Sequence, residues 1–383
     1  MQEIQATASL PDTATRNLTE FEFMALNSRL NMADGHARQA LTPGQARIID
    51  DLPNLFAKTA ASPPEEVELD ACRAYLGLLG QHSHPGGDGR VLACYSSSVA
   101  MEIFARAMVR EGGPVALIHP TFDNIPDILR GVGLRLVPLE EDRLHEGDLD
   151  HDLLNSVRCV FVTTPNNPTG RVLTEERLRA LAAQCARHNV VLALDTSFRG
   201  FDPRGHYDHY RVLEDSGCRW VVIEDTGKLW PTLELKIGWL VFSAELGLPI
   251  PKIYSDILLG ASPLVLALVQ RFAEDAADGG LADLHRFIAG NRAHVRQELS
   301  HLPGVGFPDL DSRASVERVH VGDRSALDVW SALSDQNVYV LPCQKFHWAN
   351  PAEGDSMLRI ALARSAGPLS EATRALRHVL AAT

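Results

Sequence analysis

Thr164-Pro165-Asn166-Asn167-Pro168-Thr169-Gly170 follows directly on an apolar run, Cys159-Val160-Phe161-Val162. The run reads as a buried strand, and the prolines, asparagines and glycine after it read as a turn. The arrangement recurs along the chain. Val190-Val191-Leu192-Ala193-Leu194 leads into Asp195-Thr196-Ser197-Phe198, and Trp220-Val221-Val222-Ile223 leads into Glu224-Asp225-Thr226-Gly227-Lys228. Upstream, Val115-Ala116-Leu117-Ile118 leads into His119-Pro120-Thr121-Phe122. Helical patterns fill the intervals; in residues 174–188, Leu178, Leu181 and Ala182 line one face. Fully apolar strands alternating with helices predict an α/β fold with a mainly parallel sheet. In such sheets ligands sit at the carboxyl ends of the strands. Those ends are where the polar segments begin.

The chain has 383 residues, more than the ~250–300 over which one core keeps growing. Two domains are therefore expected. From about residue 285 the pattern shifts to longer helices and shorter strands. The expected division is an N-terminal segment over residues 1–45, a large domain over 46–284 and a smaller C-terminal α/β domain over 285–383. Early in the chain, Leu18, Phe21, Phe23, Leu26 and Leu30 have mixed helical spacing, and the glycine-centred, ionisable residues 31–38 read as a loop. Lys and Arg number 36 against 49 Asp and Glu, a net charge of −13. That balance argues against nucleic acid or an anionic membrane as partner. No apolar stretch approaches the ~20 residues of a membrane span, and residues 1–17 lack a basic start followed by an apolar run. A cytoplasmic location is expected. Six scattered cysteines show no metal-ligand spacing. They are expected to be reduced and buried, and no metal site is expected.

Taken in order, residues 164–170, Asp195, Lys228 and Leu358-Arg359-Ile360-Ala361-Leu362 resemble the fold type I pyridoxal phosphate (PLP) enzymes over nearly the whole chain. Asp195 follows Asn167 by 28 residues and Lys228 follows Asp195 by 33. The resemblance implies that residues 46–284 bind the cofactor and that Lys228 is its covalent anchor and the base at the substrate α-carbon. Physical chemistry agrees. An electron sink next to an amine needs a protonated ring nitrogen, hence a carboxylate partner, and Asp195 ends a buried strand. Burial beside other cations would activate Lys228. Asn167 resembles the asparagine that bonds the cofactor's phenolic oxygen, with Ser197 nearby. Ser97 and Ser98 open a helical pattern and offer hydroxyls and N–H groups to a phosphate, although the same residues suit simple capping. Phe122 resembles the aromatic that stacks on the ring. Arg359 resembles the arginine that grips the substrate carboxylate through a bidentate fork.

Three positions depart from that family's pattern. Asp225 replaces a phosphate-contacting serine and is expected to turn toward a cationic substrate. Lys236 replaces a phosphate-binding arginine, keeping charge but losing the fork. Phe198 replaces a tyrosine, removing a hydrogen bond to the cofactor. With residues 27–38, 94–98, 120–124, 195–201 and 224–235, the chain is similar to the PLP- and oxygen-dependent L-arginine oxidase/hydroxylases of enduracididine-type biosynthesis. That resemblance implies a homodimer with shared active sites. It also implies conversion of L-arginine and O2 to 4-hydroxy-2-ketoarginine and 2-ketoarginine, with release of ammonia and peroxide. In this reading Glu22 and Asp225 clamp the guanidinium, Thr19 lies beside them, and Asp34 assists. His36, titrating near neutral pH, is the candidate base for the water that hydroxylates. The alternative is an ordinary aminotransferase acting on arginine or another amino acid.

Overall fold

The computed structural model describes residues 16–147, 149–232 and 235–382. What the sequence suggests for residues 1–15 lies outside them. Strands in chain order are β1 (Leu30–Asn31), β2 (Val91–Cys94), β3 (Val115–His119), β4 (Leu136–Glu140), β5 (Cys159–Thr163), β6 (Val191–Asp195), β7 (Trp220–Asp225), β8 (Gly238–Phe242), β9 (Val305–Gly306), β10 (Val316–Val321), β11 (Val338–Tyr339), β12 (Leu341–Pro342) and β13 (Met357–Ala361). The large sheet runs β2-β8-β7-β6-β5-β3-β4. Its core pairs, β4 with β3, β3 with β5, β5 with β6 and β6 with β7, are parallel. The four expected strand runs are β3, β5, β6 and β7. Every residue in them is buried, as continuous Val, Leu and Ile runs require when helices cover both faces.

Register brings the polar segments together. Thr163 pairs with Asp195, and Asp195 pairs with Ile223, so the turns after β5, β6 and β7 stand side by side. β8 is antiparallel to both neighbours, and Gly238 at its start faces Asp225 on one side and Cys94 on the other. The segment with Lys236 thus enters the sheet where β2 hands over to the helix Ser97–Met108. In the turn after β5, Gly170 has φ of +72°, and a Cβ there would lie 1.9 Å from Ser312 Oγ. Only glycine fits this contact with the C-terminal part of the chain.

A second, antiparallel sheet runs β12-β13-β10-β9. The expected domain boundary near residue 284 falls inside the helix Leu281–Leu299. The N-terminal helix is shorter than the apolar spacing suggests. It covers Leu18–Ala25, capped by a reciprocal Asn17–Glu20 box, and Phe23 stays 74% exposed. Leu30 instead joins β1, which pairs in parallel with β11. The Ser28 hydroxyl supports this turn by donating to the Asn337 carbonyl at 2.6 Å. The extended pairing satisfies backbone groups that a longer, largely exposed helix would have had to satisfy by itself. On the buried face of the helix Phe21 meets Trp330 edge-on at 4.8 Å, worth roughly 0.5–1.5 kcal/mol beyond area burial. All six cysteines are buried and free. Among the described residues no helix is long and apolar enough to cross a membrane.

Candidate active site

A cavity of about 130 Å³ opens at the carboxyl ends of β5, β6 and β7. Twelve of the fourteen residues singled out from sequence line it: Thr19, Glu22, His36, Ser97, Ser98, Phe122, Asn167, Asp195, Ser197, Asp225, Lys228 and Lys236. Asp34 and Arg359 stand behind the wall. Gly35, Met101, Asn124, Thr163 and Phe198 complete it. Phe198 is the position where the sequence departs from a tyrosine; the other four are small or common residue types with no chemical signature, so only the strand and loop geometry shows them. Wider hollows elsewhere, such as that between Asn17, Glu102 and Ile128, gather no comparable set of groups.

At the floor, Asp195 is buried and accepts from the Ser197 hydroxyl at 2.5 Å and the Ser197 N–H at 3.0 Å. Burial pushes its carboxyl up to about 6, against the bonds from Ser197. The Asn167 Oδ1 is buried and has no partner among the described residues. Its neighbour Asn166 is structural instead, donating to the Pro120 carbonyl and to Glu141 at 2.9 and 2.8 Å. Beneath the site, Arg199 and Glu224 form an ion pair at 3.1 Å with neither side chain exposed. Tyr210 and Thr196 donate to the same glutamate at 2.9 and 2.7 Å.

At one end, the helix Ser97–Met108 presents its N-terminus, with Ser96 as cap. Gly238 packs so tightly there that a Cβ would lie 2.5 Å from the Ser96 carbonyl carbon. Asp225 reaches this end as well. Its Oδ2 accepts from the Ser97 hydroxyl at 2.5 Å and its Oδ1 from the Gly227 N–H at 2.6 Å. Asp225, expected to turn toward a cationic substrate, is held at this end by two close donors while it lines the cavity. Burial and then the Lys228 charge lower the Lys236 ammonium.

At the other end, Glu22 Oε1 accepts from Arg359 Nη2 at 3.3 Å. Burial raises the Glu22 carboxyl, opposed by the charge of Arg359. Arg359 is fully buried, its Nε and Nη1 have no partner among the described residues, and its guanidinium lies 5.6 Å from the Phe346 ring centroid.

Residues 31–38 fold over Lys228; a Cβ on Gly35 would lie 3.7 Å from the amine nitrogen. The substrate-binding role expected for Asp34 is corrected. Its carboxylate accepts from Asn31 Nδ2 at 2.6 Å, from the His36 N–H at 3.0 Å, and from Arg38 Nε and Nη2 at 3.0 and 2.6 Å. Five donors, counting Arg364 Nη2 at 3.4 Å, leave nothing to offer a ligand. Burial opposes ionisation of Asp34, but His36, Arg364 and Arg38 outweigh it and hold the carboxyl well below the usual range. Asp34 faces His36 Nδ1 at 3.6 Å, while His36 Nε2 is buried and unpartnered. The Lys228 ammonium and burial push His36 down to about 4, so the ring is neutral at pH 7. Arg364, which sequence reading missed, donates to the Asp34 and His36 carbonyls at 2.6 Å each. Residue type alone does not separate a buried arginine from a surface one.

These residues fit pyridoxal phosphate. A buried carboxylate raised by burial calls for a cationic partner, as a protonated ring nitrogen would be. The unpartnered Asn167 oxygen follows β5, on the side of Asp195 away from Lys228. The crowded helix N-terminus with Ser97, Ser98 and Lys236 suits a phosphate.

A family model described as aminotransferase class I and II matches residues 58–379, and the chain belongs to this family, as a fold type I PLP enzyme. A solved structure described as MppP soaked with the product 2-ketoarginine is 63% identical. It covers 91% of this chain and 99% of that one, with a TM-score of 0.90. Aspartate aminotransferase from Thermus thermophilus with maleate, at 16% identity and a TM-score of 0.76 over 95% of this chain and 96% of that one, shares the fold. Kynurenine–oxoglutarate transaminase 1 of Homo sapiens is 27% identical over 50% of this chain and 48% of its own length. The chain spans about half the length of the curated relatives it matches.

Proposed function

We propose that this chain oxidises L-arginine with O2, giving 4-hydroxy-2-ketoarginine together with 2-ketoarginine, ammonia and hydrogen peroxide. The observation that carries the reading is the pair at 3.3 Å between Glu22, in the wall of the cavity that holds Lys228, and Arg359 behind it. Arginine brings both complementary charges. Its α-carboxylate suits an Arg359 fork that pairs Nη2, released from Glu22, with one of the two unpartnered nitrogens, and Glu22, released, takes the guanidinium. An internal ion pair is exchanged for two substrate contacts. The likeness to MppP, whose solved structure was soaked with 2-ketoarginine, supports the same substrate class.

The cofactor, when bound, supplies an electron sink beside the substrate amine. Lys228 takes the α-proton. Asp195, oriented by Ser197, holds a proton at the cofactor's ring nitrogen, Asn167 bonds its phenolic oxygen, and Phe122 covers the ring. Ser97, Ser98 and Lys236 would hold the phosphate, the Ser97 hydroxyl then leaving Asp225. Asp225 Oδ2 is then free as a second acceptor for the guanidinium, with Thr19 next to it. Two electrons passed to one O2 would give 2-ketoarginine and one peroxide; four electrons passed to two O2, with loss of the β- and γ-protons, would make the γ-carbon electrophilic and release two peroxides. His36, oriented by Asp34 and held neutral by the Lys228 charge and by burial, uses Nε2 to take a proton from the water that adds at the γ-carbon. The segment before residue 46 covers the site, and the assembly is a cytoplasmic homodimer with shared active sites.

Mass spectrometry of the products from L-arginine under air tests this reading. The hydroxylated and simple keto acids are expected together. His36→Phe is expected to abolish the hydroxylated acid and spare 2-ketoarginine; an unchanged ratio removes His36 from the mechanism. The second reading, an amino-group exchange with a keto acid, is favoured by the family and by the curated relatives, which are transaminases. It gives no hydroxylated product.

A further inference from the structure

A cluster outside the cavity joins the two sheets. His119 closes β3, and His347 lies on the segment after β12. Both rings are buried and meet edge-on, with centroids 5.3 Å apart. His119 Nδ1 lies 3.2 Å from Glu140 Oε2 and 4.0 Å from Glu353 Oε2. His347 Nδ1 lies 3.1 Å from the same Glu353 oxygen. The two histidines and Glu353 each offer one ligand atom, and these atoms lie within 4.8 Å of one another. Each Nε2 is buried and unpartnered, so the polar contacts of both rings converge on the carboxylate side. Glu140 and Glu353 have side chains 59% and 48% exposed, which leaves an entry route from solvent.

We propose that His119, His347, Glu353 and Glu140 bind a divalent transition-metal ion, with zinc the best match. Two imidazoles and two carboxylates are a tetrahedral zinc donor set, whereas magnesium and calcium prefer oxygen alone. At zinc–ligand distances of about 2.0–2.2 Å, donor atoms stand about 3.4 Å apart. His119, His347 and Glu353 form the preassembled part of the set, within 4.8 Å of one another, and Glu140, 3.2 Å from His119 and 59% exposed, is free to swing in as the fourth ligand.

The ion would act as a clasp. His119 is three residues before Phe122, and Phe346 precedes His347. Phe122 and Phe346 meet edge-on at 5.7 Å, and Phe346 supports Arg359. Trp348 adds a bond from its indole nitrogen to the Ile118 carbonyl at 2.9 Å. Fixing His347 to His119 therefore fixes the wall that carries Phe122 and backs Arg359. None of the four ligands lines the cavity, so the role is positional. Sequence spacing could not show it, since the histidines are more than 200 residues apart.

The test is calorimetric titration of the chelator-treated, cofactor-loaded enzyme with Zn2+, and separately Co2+ absorption spectroscopy. The expected result is one ion per chain, with the intense visible bands of four-coordinate cobalt. Glu353→Gln, on an exposed turn, is expected to weaken binding at least 10-fold, and His347→Gln to abolish it. Circular dichroism checks that each variant is folded. Absence of stoichiometric binding to the wild-type chain overturns the proposal. So does binding that Glu353→Gln and His347→Gln both leave unchanged, which would place the ion elsewhere.

Discussion

Glu22 is a carboxylate raised by burial and held by one arginine contact. A guanidinium that replaces Arg359 favours its ionised form, so substrate binding and deprotonation are linked. KM for arginine is expected to fall as pH rises through the raised Glu22 value and then level off. Glu22→Gln, which removes one charge-assisted bond worth about 1.5–3 kcal/mol, is expected to raise KM by roughly 10- to 100-fold and to flatten that profile. Neutral amino acids should show neither effect in steady-state kinetics. At this scale the sequence was legible where a residue type has one use. Lys228, Asp195 and Asn167 were found because strand ends place them and chemistry needs them. Asp34 and Asp225 were less legible because a carboxylate serves a ligand or a neighbouring donor equally well. The donors that decide the matter, Arg38, Arg364 and Asn31 for Asp34 and Ser97 for Asp225, come together only in the fold.

The N-terminal helix is the element that brings Thr19 and Glu22 to the cavity, and its first turn is held by Asp123, at the start of the helix Asn124–Gly131. Leu18 N–H donates to Asp123 Oδ2 at 2.7 Å, and Asp123 Oδ1 is buried without a partner. Burial pushes the Asp123 carboxyl up to about 7, against the Leu18 bond. The raised value means that the folded state binds this proton more tightly than the unfolded chain does. The contribution to stability is full below the ordinary aspartate range and is lost as pH rises through about 7, a span of at most about 4 kcal/mol. Asp123→Asn still accepts from Leu18 but has no charge to bury. It is expected to melt at a higher temperature than the wild type at pH 8.5 and at nearly the same temperature at pH 5; an equal difference at both pH values contradicts the account. Under β7, Glu224→Gln leaves Arg199 as an uncompensated buried charge. Urea unfolding is expected to show a loss of about 3–5 kcal/mol. The buried strands were readable as elements because apolar runs bounded by turn residues have few alternatives. The N-terminal helix was over-read because its apolar spacing continues to Leu30, and β11, the strand that claims Leu30, lies some 300 residues away.

In the whole molecule, the cavity is built where the large sheet, the N-terminal segment and the C-terminal sheet meet. The large sheet supplies Asn167, Asp195 and Lys228 from three adjacent strand ends. β1 pairs with β11, and Arg364 staples residues 34–36, so the loop with His36 is tied to the C-terminal part of the chain. That part also supplies Arg359 from β13. Parallel topology and the strand-end location of the site were legible because they follow from local pattern. The convergence of the three parts was not, because it depends on pairings between distant segments. The central claim, that these parts oxidise arginine instead of exchanging its amino group, is tested most directly with an oxygen electrode. With cofactor-loaded enzyme, L-arginine and no keto acid, the account predicts oxygen uptake in step with arginine loss and peroxide accumulation. Arginine turnover that consumes no oxygen and begins only when a keto acid is added would contradict it.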